Sequence, residues 1–366
     1  MRRSNDTILA LALALAACDG GSPTDAGAML DAAALDAGLD AATLDAAVAL
    51  DADLDAAVLD AGLDAATLDA AMLDAGLDGC EPPTSFAPPL ETDLDALDLS
   101  ETGVVRGVWL SPSDRPFAPG LRERLDRFLD LAEDFLRDEL HAEGVRDAMG
   151  RGRTLRRARA ADGRWDVVFL AGRHPSAHYH AHPDAPDAAG QALHEIFQRL
   201  PAAFHRDATV IYLYDTAIAS GDALAHTGQG GSAAPWQGDH AGYALIGAHA
   251  LGHGFWTVTL DPSAQACAFA DTTASGLSDF DHDNAHGPLS RGGWASTFLG
   301  AAIHEIGHAY GLEHDFVDHD GDGVEANLMG NGFRRLGARF GARVPPPPTR
   351  LGPTSAAGLA AHPWIR

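Results

Sequence analysis

The chain has 366 residues, 46% of them hydrophobic, with 52 acidic against 25 basic side chains and a formal net charge of −27. All 25 basic residues are arginine, and no basic stripe interrupts the acidic balance, which argues against a nucleic-acid partner. The charge is unevenly spread: residues 19–100 carry 19 acidic and no basic side chains, whereas 101–366 carry 32 acidic and 23 basic.

In chain order, Arg2 and Arg3 precede an apolar run from Ile8 to Ala17 that is too short to span a bilayer as a helix, the pattern of an export signal over residues 1–17. The run ends Leu-Ala-Ala-Cys at Leu15–Cys18, which resembles a bacterial lipobox. That resemblance implies cleavage before Cys18, lipidation of its thiol and a membrane anchor. The protein would then face the periplasm or cell surface, or be extracellular if released. An ordinary signal peptide with an incidental cysteine is the alternative.

Residues 18–99 read as a stalk and joint. Leu-Asp pairs recur at Leu35, Leu39, Leu44, Leu50, Leu54, Leu59, Leu63 and Leu68, with steps of four to six residues. Such irregular steps drift around a helix and hold no coiled-coil seam. Closely spaced aspartates repel one another, so the segment is expected to be extended or marginally helical, without a core. A Pro-rich joint at 81–89 follows.

From residue 100 the pattern becomes that of a globular domain. Residues 104–110, 166–170 and 209–214 read as strands, and 243–250 and 254–260 as further ones. A long helix is predicted from Pro119 through His141, with Leu121, Leu125, Phe128, Leu129, Leu136 and Leu140 at helical spacing, and another near 188–200. The Arg-rich stretch 151–159 reads as a loop. The His-rich run 174–182 reads as an exposed loop sooner than a second metal site, because no carboxylate lies within it. His194 and Glu195 form half a metal motif, but Gln198 stands where a second histidine would be needed, so they are read as structural.

The most informative stretch is H-E-I-G-H-A-Y-G-L-E-H-D at 304–315, at the end of a helix expected from about Trp294 to Tyr310. His304 and His308, four apart, project from one helical face and can share a Zn²⁺, with Glu305 beside it as a base. Gly311 permits a chain reversal that carries His314 back as a third ligand, leaving one position open. Leu299, Ala302, Ile303, Ile306 and Tyr310 supply the helix's apolar stripe.

This stretch resembles the metzincin metallopeptidases, whose signature H-E-x-x-H-x-x-G-x-x-H is matched at His304, Glu305, His308, Gly311 and His314. Asp315 looks like the adamalysin-type variant, but the cysteine-rich architecture of that subgroup is missing and the resemblance stops at the clan. It implies a methionine turn, which N-L-M-G-N-G at 327–332 supplies with Met329 as a hydrophobic floor under the metal. Asn331 stands where some relatives have a tyrosine ligand, so none is expected. The fold implied is α+β: a twisted, mostly parallel sheet with a backing helix and an active-site helix, then a small C-terminal subdomain after a break near 312. The implied activity is zinc-dependent endopeptidase cleavage of extracytoplasmic protein substrates, with an extended substrate pairing with an edge strand around 243–250. The alternative is a membrane-tethered zinc-binding or structural lipoprotein without turnover. Self-processing at residues 80–100 is a third reading, and a monomer is expected.

Two aspartate clusters flank the active helix, at 279–284 and 318–323. Ser290 and Met329 stand at their twelfth positions, which excludes an EF-hand. A looser calcium site from Asp318, Asp320, Asp322 and Glu325 is weighed against a solvated acidic loop. With Cys18 lipidated, Cys80 and Cys267 remain to form a disulfide in an oxidising compartment. Cys80 as a thiolate switch on the metal, or two free thiols, are the alternatives.

Overall fold

The computed structural model describes residues 86–179, 188–206, 208–215, 231–234, 242–247, 269, 274–278, 288–317, 326–340 and 348–366. The export signal, the stalk, Cys18, Cys80, Cys267, the strand expected at 254–260, the 279–284 cluster, and Asp318, Asp320, Asp322 and Glu325 lie outside these residues.

Among the described residues, five strands build the main sheet: β1 (Val104–Ser111), β2 (Val167–Ala171), β3 (Ala208–Tyr214), β4 (Gly231–Ala234) and β5 (Tyr243–Gly247). Their order is β2-β1-β3-β5-β4, with the first four parallel and β4 antiparallel to β5. A parallel sheet is covered on both faces, which explains why its strands are continuous apolar runs instead of alternating ones. Val105, Trp109, Ile211, Leu213 and Ile246 face one core, with Leu125, Phe128 and Leu129 of helix α1 (Leu121–Ala142). Val108, Leu110, Val210, Tyr212 and Leu245 alternate to the other face, against Ala192, Leu193 and Ile196 of α2 (Ala188–Arg199). The active helix α3 (Arg291–Ala309) joins the α1 side through Leu299, Ile303 and Ile306.

The sheet's outer strands refine the sequence reading. β5 is paired on both sides, by β3 and β4, so 243–247 is not the edge expected there. The strand that ends the order is β4, whose Gly-Ser-Ala-Ala sequence carries almost no β propensity. At the opposite margin, the Thr92 amide donates to the Phe169 carbonyl at 2.9 Å, and the Phe169 amide donates to Thr92 Oγ1 at 2.9 Å. Leu94, Leu97 and Leu99 pack on the α2-side core. Chain leading into the domain therefore covers part of the β2 edge.

Helix α1 begins two residues after Pro119, because Gly120 takes a left-handed conformation (φ 73°) as its N-cap. The Arg-rich stretch is irregular, as expected, but it is not a passive loop. Arg157 is buried and reaches Asp126 Oδ1 at 2.9 Å and both oxygens of Glu133 at 2.9 Å, with Asp130 completing the set. Glu195, read as structural, is buried: it accepts the Arg173 amide at 2.9 Å and the Tyr179 hydroxyl.

A short hairpin of β6 (Ala274–Ser278) and β7 (Pro288–Ser290) leads into α3, whose first turn is capped by the Ser290 hydroxyl accepting the Gly293 amide at 3.0 Å. Beyond residue 312, a 3-10 segment (Asn331–Phe340) and helix α4 (Pro353–Ala361) follow. Leu328, Met329, Leu336, Leu351, Leu359 and Ile365 are buried in the same core as α1 and α3, so this C-terminal part shares a core with the sheet.

Candidate metal centre

Helix α3 ends in a double-bonded reversal. The Gly311 amide donates to the His308 carbonyl at 2.8 Å and the Leu312 amide to the Gly307 carbonyl at 3.1 Å, with Gly311 at φ 85°. That is the Schellman arrangement, and its left-handed residue is the one position in the turn that needs glycine. The reversal brings His314 back against the helix. His304 Nε2 and His308 Nε2 are 3.0 Å apart, and His308 Nε2 and His314 Nε2 are 3.1 Å apart. Among the described residues, these three histidines form a group able to hold a metal ion.

The tautomers follow from the partners. His304 Nδ1 lies 2.6 Å from the Leu328 carbonyl, and His308 Nδ1 lies 2.6 Å from the Leu312 carbonyl. A carbonyl oxygen only accepts, so both Nδ1 atoms carry the proton and both Nε2 atoms present bare lone pairs. Two lone pairs aimed at each other at 3.0 Å repel unless a cation lies between them. A Zn²⁺ with bonds of about 2.0–2.1 Å fits nitrogens at this separation, and an imidazole held by a carbonyl at its far nitrogen is the usual form of a metal ligand. Burial lowers the pKa of His304 to about 3, helped by His308, and burial also lowers those of His308 and His314. The donor set is thus neutral at ordinary pH, as a metal requires.

Glu305 lies on α3 beside the triad. Its Oε2 is buried and has no hydrogen-bond partner among the described residues. Burial pushes its carboxyl up to about 8. An orphaned carboxylate costs several kcal/mol unless a charge or a polar ligand meets it.

Met329 is fully buried beneath the helix. Its carbonyl accepts the Asp315 amide at 2.9 Å, tying the strand of chain after His314 to the turn. Asn327 shapes that turn: its carbonyl accepts the Gly330 and Gly332 amides, and its Oδ1 accepts the Met329 amide at 3.2 Å. Two aromatic rings flank the triad, Phe333 at 5.4 Å from the His304 ring and Phe316 at 5.4 Å from His314, the latter exposed. Sequence reasoning missed Leu312 and Leu328, because a backbone carbonyl leaves no trace in residue type. Asn327 was within reach, as a turn-forming side chain two residues before Met329. Of the His-rich run, His174 and His178 stack at 3.9 Å, and neither joins a metal-ligand group among the described residues.

No protein-family model matches the chain, and no curated protein does. Among solved structures, similarity is found to OgpA from Akkermansia muciniphila. Its catalytically inactive form, in complex with an O-glycopeptide (glycodrosocin) substrate, shows 17% identity over 76% of this chain and 63% of that one, with a TM-score of 0.40. Two crystal forms of wild-type OgpA show 18% and 19% identity over 76% and 74% of this chain, both at a TM-score of 0.40. The chain spans less than two thirds of the length of these proteins (63–65%). A likeness this distant assigns no chemistry to any residue here.

Proposed function

We propose that the protein is a zinc-dependent endopeptidase of the metzincin type, cleaving extracytoplasmic protein or peptide substrates. One observation carries this reading: His308 Nε2 lies 3.0 and 3.1 Å from the Nε2 atoms of His304 and His314, on a helix that also carries Glu305 with its buried Oε2 unpaired among the described residues. His304, His308 and His314 would hold the ion, which supplies Lewis acidity to a water molecule and to the scissile carbonyl. The remaining work belongs to this chain. Glu305 takes the proton from the attacking water at its carboxylate and returns it to the leaving amine, so that neither step releases an unstable charge. A cation beside Glu305 favours its ionised form and offsets the upward push of burial. An extended substrate would add to β4, which ends the strand order, instead of the paired β5.

The export signal, anchoring at Cys18, a Cys80–Cys267 disulfide and a calcium site at Asp318, Asp320, Asp322 and Glu325 belong to the same proposal, and all rest on residue pattern. Metal analysis and cleavage of a broad peptide library test its centre. Wild type should hold one equivalent of zinc and cut peptides. Glu305→Ala should keep the zinc and lose about 10²–10⁴-fold in hydrolysis. Unchanged cleavage removes Glu305 from the mechanism, whereas equimolar zinc without cleavage of any peptide favours a tethered zinc-binding lipoprotein.

A further inference from the structure

The side chains of Met329 and Leu312 meet at one residue of α3, Gly307. A Cβ built on Gly307 would stand 2.5 Å from Met329 Sδ and 3.3 Å from Leu312 Cδ1. Met329 follows Leu328, whose carbonyl holds His304 Nδ1, and the Leu312 carbonyl holds His308 Nδ1. Leu312 also donates its amide to the Gly307 carbonyl. The buried Met329 side chain thus occupies the space that any larger residue at 307 would claim. One face of α3 is shaped throughout for this approach. A Cβ on Gly300, two turns earlier, would lie 1.8 Å from the Phe333 carbonyl oxygen, and the Ser296 hydroxyl bonds the Arg334 carbonyl and the Gly337 amide, each at 2.7 Å.

We infer that Gly307 is a positioning residue for the metal centre: its missing side chain seats Met329 so that the Leu328 and Leu312 carbonyls fix His304 and His308 in their metal-binding tautomer and orientation. The inference rests on the zinc reading above. It is separable from it, because it concerns how tightly the apo protein takes up zinc. Backbone preference opposes it and so sharpens the test. In a helix interior, alanine is favoured over glycine by about 0.5–1 kcal/mol, so a residue with only a helical role would tolerate or welcome the change.

The experiment measures zinc affinity of the full chain, stripped of metal, by competition with a chelator, alongside chemical denaturation of the apo form. Gly307→Ala should lower zinc affinity about 10–100-fold, the usual effect of disturbing groups that orient metal ligands, without a matching loss of apo stability. Met329→Ala in the Gly307→Ala background removes the colliding sulfur and should restore affinity to within about threefold of Met329→Ala alone, a rescue that a merely structural role does not produce. Should Gly307→Ala fail to fold, the double variant carries the test, since it has room for the added methyl. Wild-type affinity in Gly307→Ala, or a double variant that binds more weakly than both single ones, overturns the inference. A wild type that takes up no zinc overturns the metal reading and this inference with it.

Discussion

At the residue scale, three histidines and one glutamate are held in forms that bulk water would not give them. The carbonyls of Leu328 and Leu312 pin two imidazoles with Nε2 bare, and burial lowers the proton affinity of all three rings. Protons compete with a metal only below a ligand's own pKa. The three rings, with His304 near 3 and His308 and His314 below their ordinary value of about 6.5, take up competing protons only in acidic solution. Glu305, pushed up to about 8 and returned to its ionised form by a neighbouring cation, ties uptake to loss of a proton, so zinc affinity should fall as pH drops below about 8. Chelator competition between about pH 9 and 6 checks the sign, and a slope below pH 8 that persists unchanged in Glu305→Gln contradicts the assigned environment of Glu305. The motif's spacing placed the four side chains in sequence, since four residues are about one helical turn. It could not supply the acceptors of the two helical histidines, which are main-chain carbonyls 24 and four residues away.

At the element scale, α1 shows what patterning reveals and what it hides. Its leucines and phenylalanines at helical spacing announced the buried face, and the helix lies where they point. Its acidic side chains announce no partner. Asp126, Asp130 and Glu133 share one face at intervals of four and three residues and converge on Arg157, whose side chain is 4% exposed. A guanidinium fork matched to a carboxylate satisfies several donors at once. Arg157→Ala would leave Asp126 and Glu133 without the guanidinium they share, with Arg127 still 3.3 Å from Asp130. The expected loss is about 3–5 kcal/mol of unfolding free energy near neutral pH, read by denaturant titration. A loss under about 1 kcal/mol would place the cluster among ordinary surface ion pairs. The Arg-rich run carried no sign of which of its arginines turns inward, because that depends on where α1 lies above it.

At the scale of the whole molecule, stability and charge separate. The acidic excess sits mostly in residues 19–100, so the domain after it is closer to electrical balance. Its pH response should come from buried histidines more than from net charge. His205 stacks on Phe197 at 4.3 Å, lies 2.6 Å from the Tyr212 hydroxyl, and is pushed by burial down to about 4. Its folded pKa is below the unfolded value of about 6.5, so its contribution is present in full above pH 6.5 and is lost as pH falls towards 4. The loss is about 1–3 kcal/mol after allowance for partial exposure. His205→Gln should flatten the stability profile in that window; an unchanged slope would assign the acid sensitivity to other groups. The sequence by itself determined the elements with strong periodicity, namely β1, β2, β3, α1 and α3, and the identity of the candidate ligands. Local patterns decide those, because a helix or strand must bury whatever stripe its own residues supply. The tertiary structure decided the rest. It made a strand of β4 and set it last in the sheet among the described residues, although Gly-Ser-Ala-Ala has no strand signature, because β5 offered it backbone groups to pair with. It folded the C-terminal part into the core of α1 and α3, and it set Met329 against Gly307. Contacts of that kind depend on atoms distant in sequence, and on the absence of a side chain as much as on the presence of one.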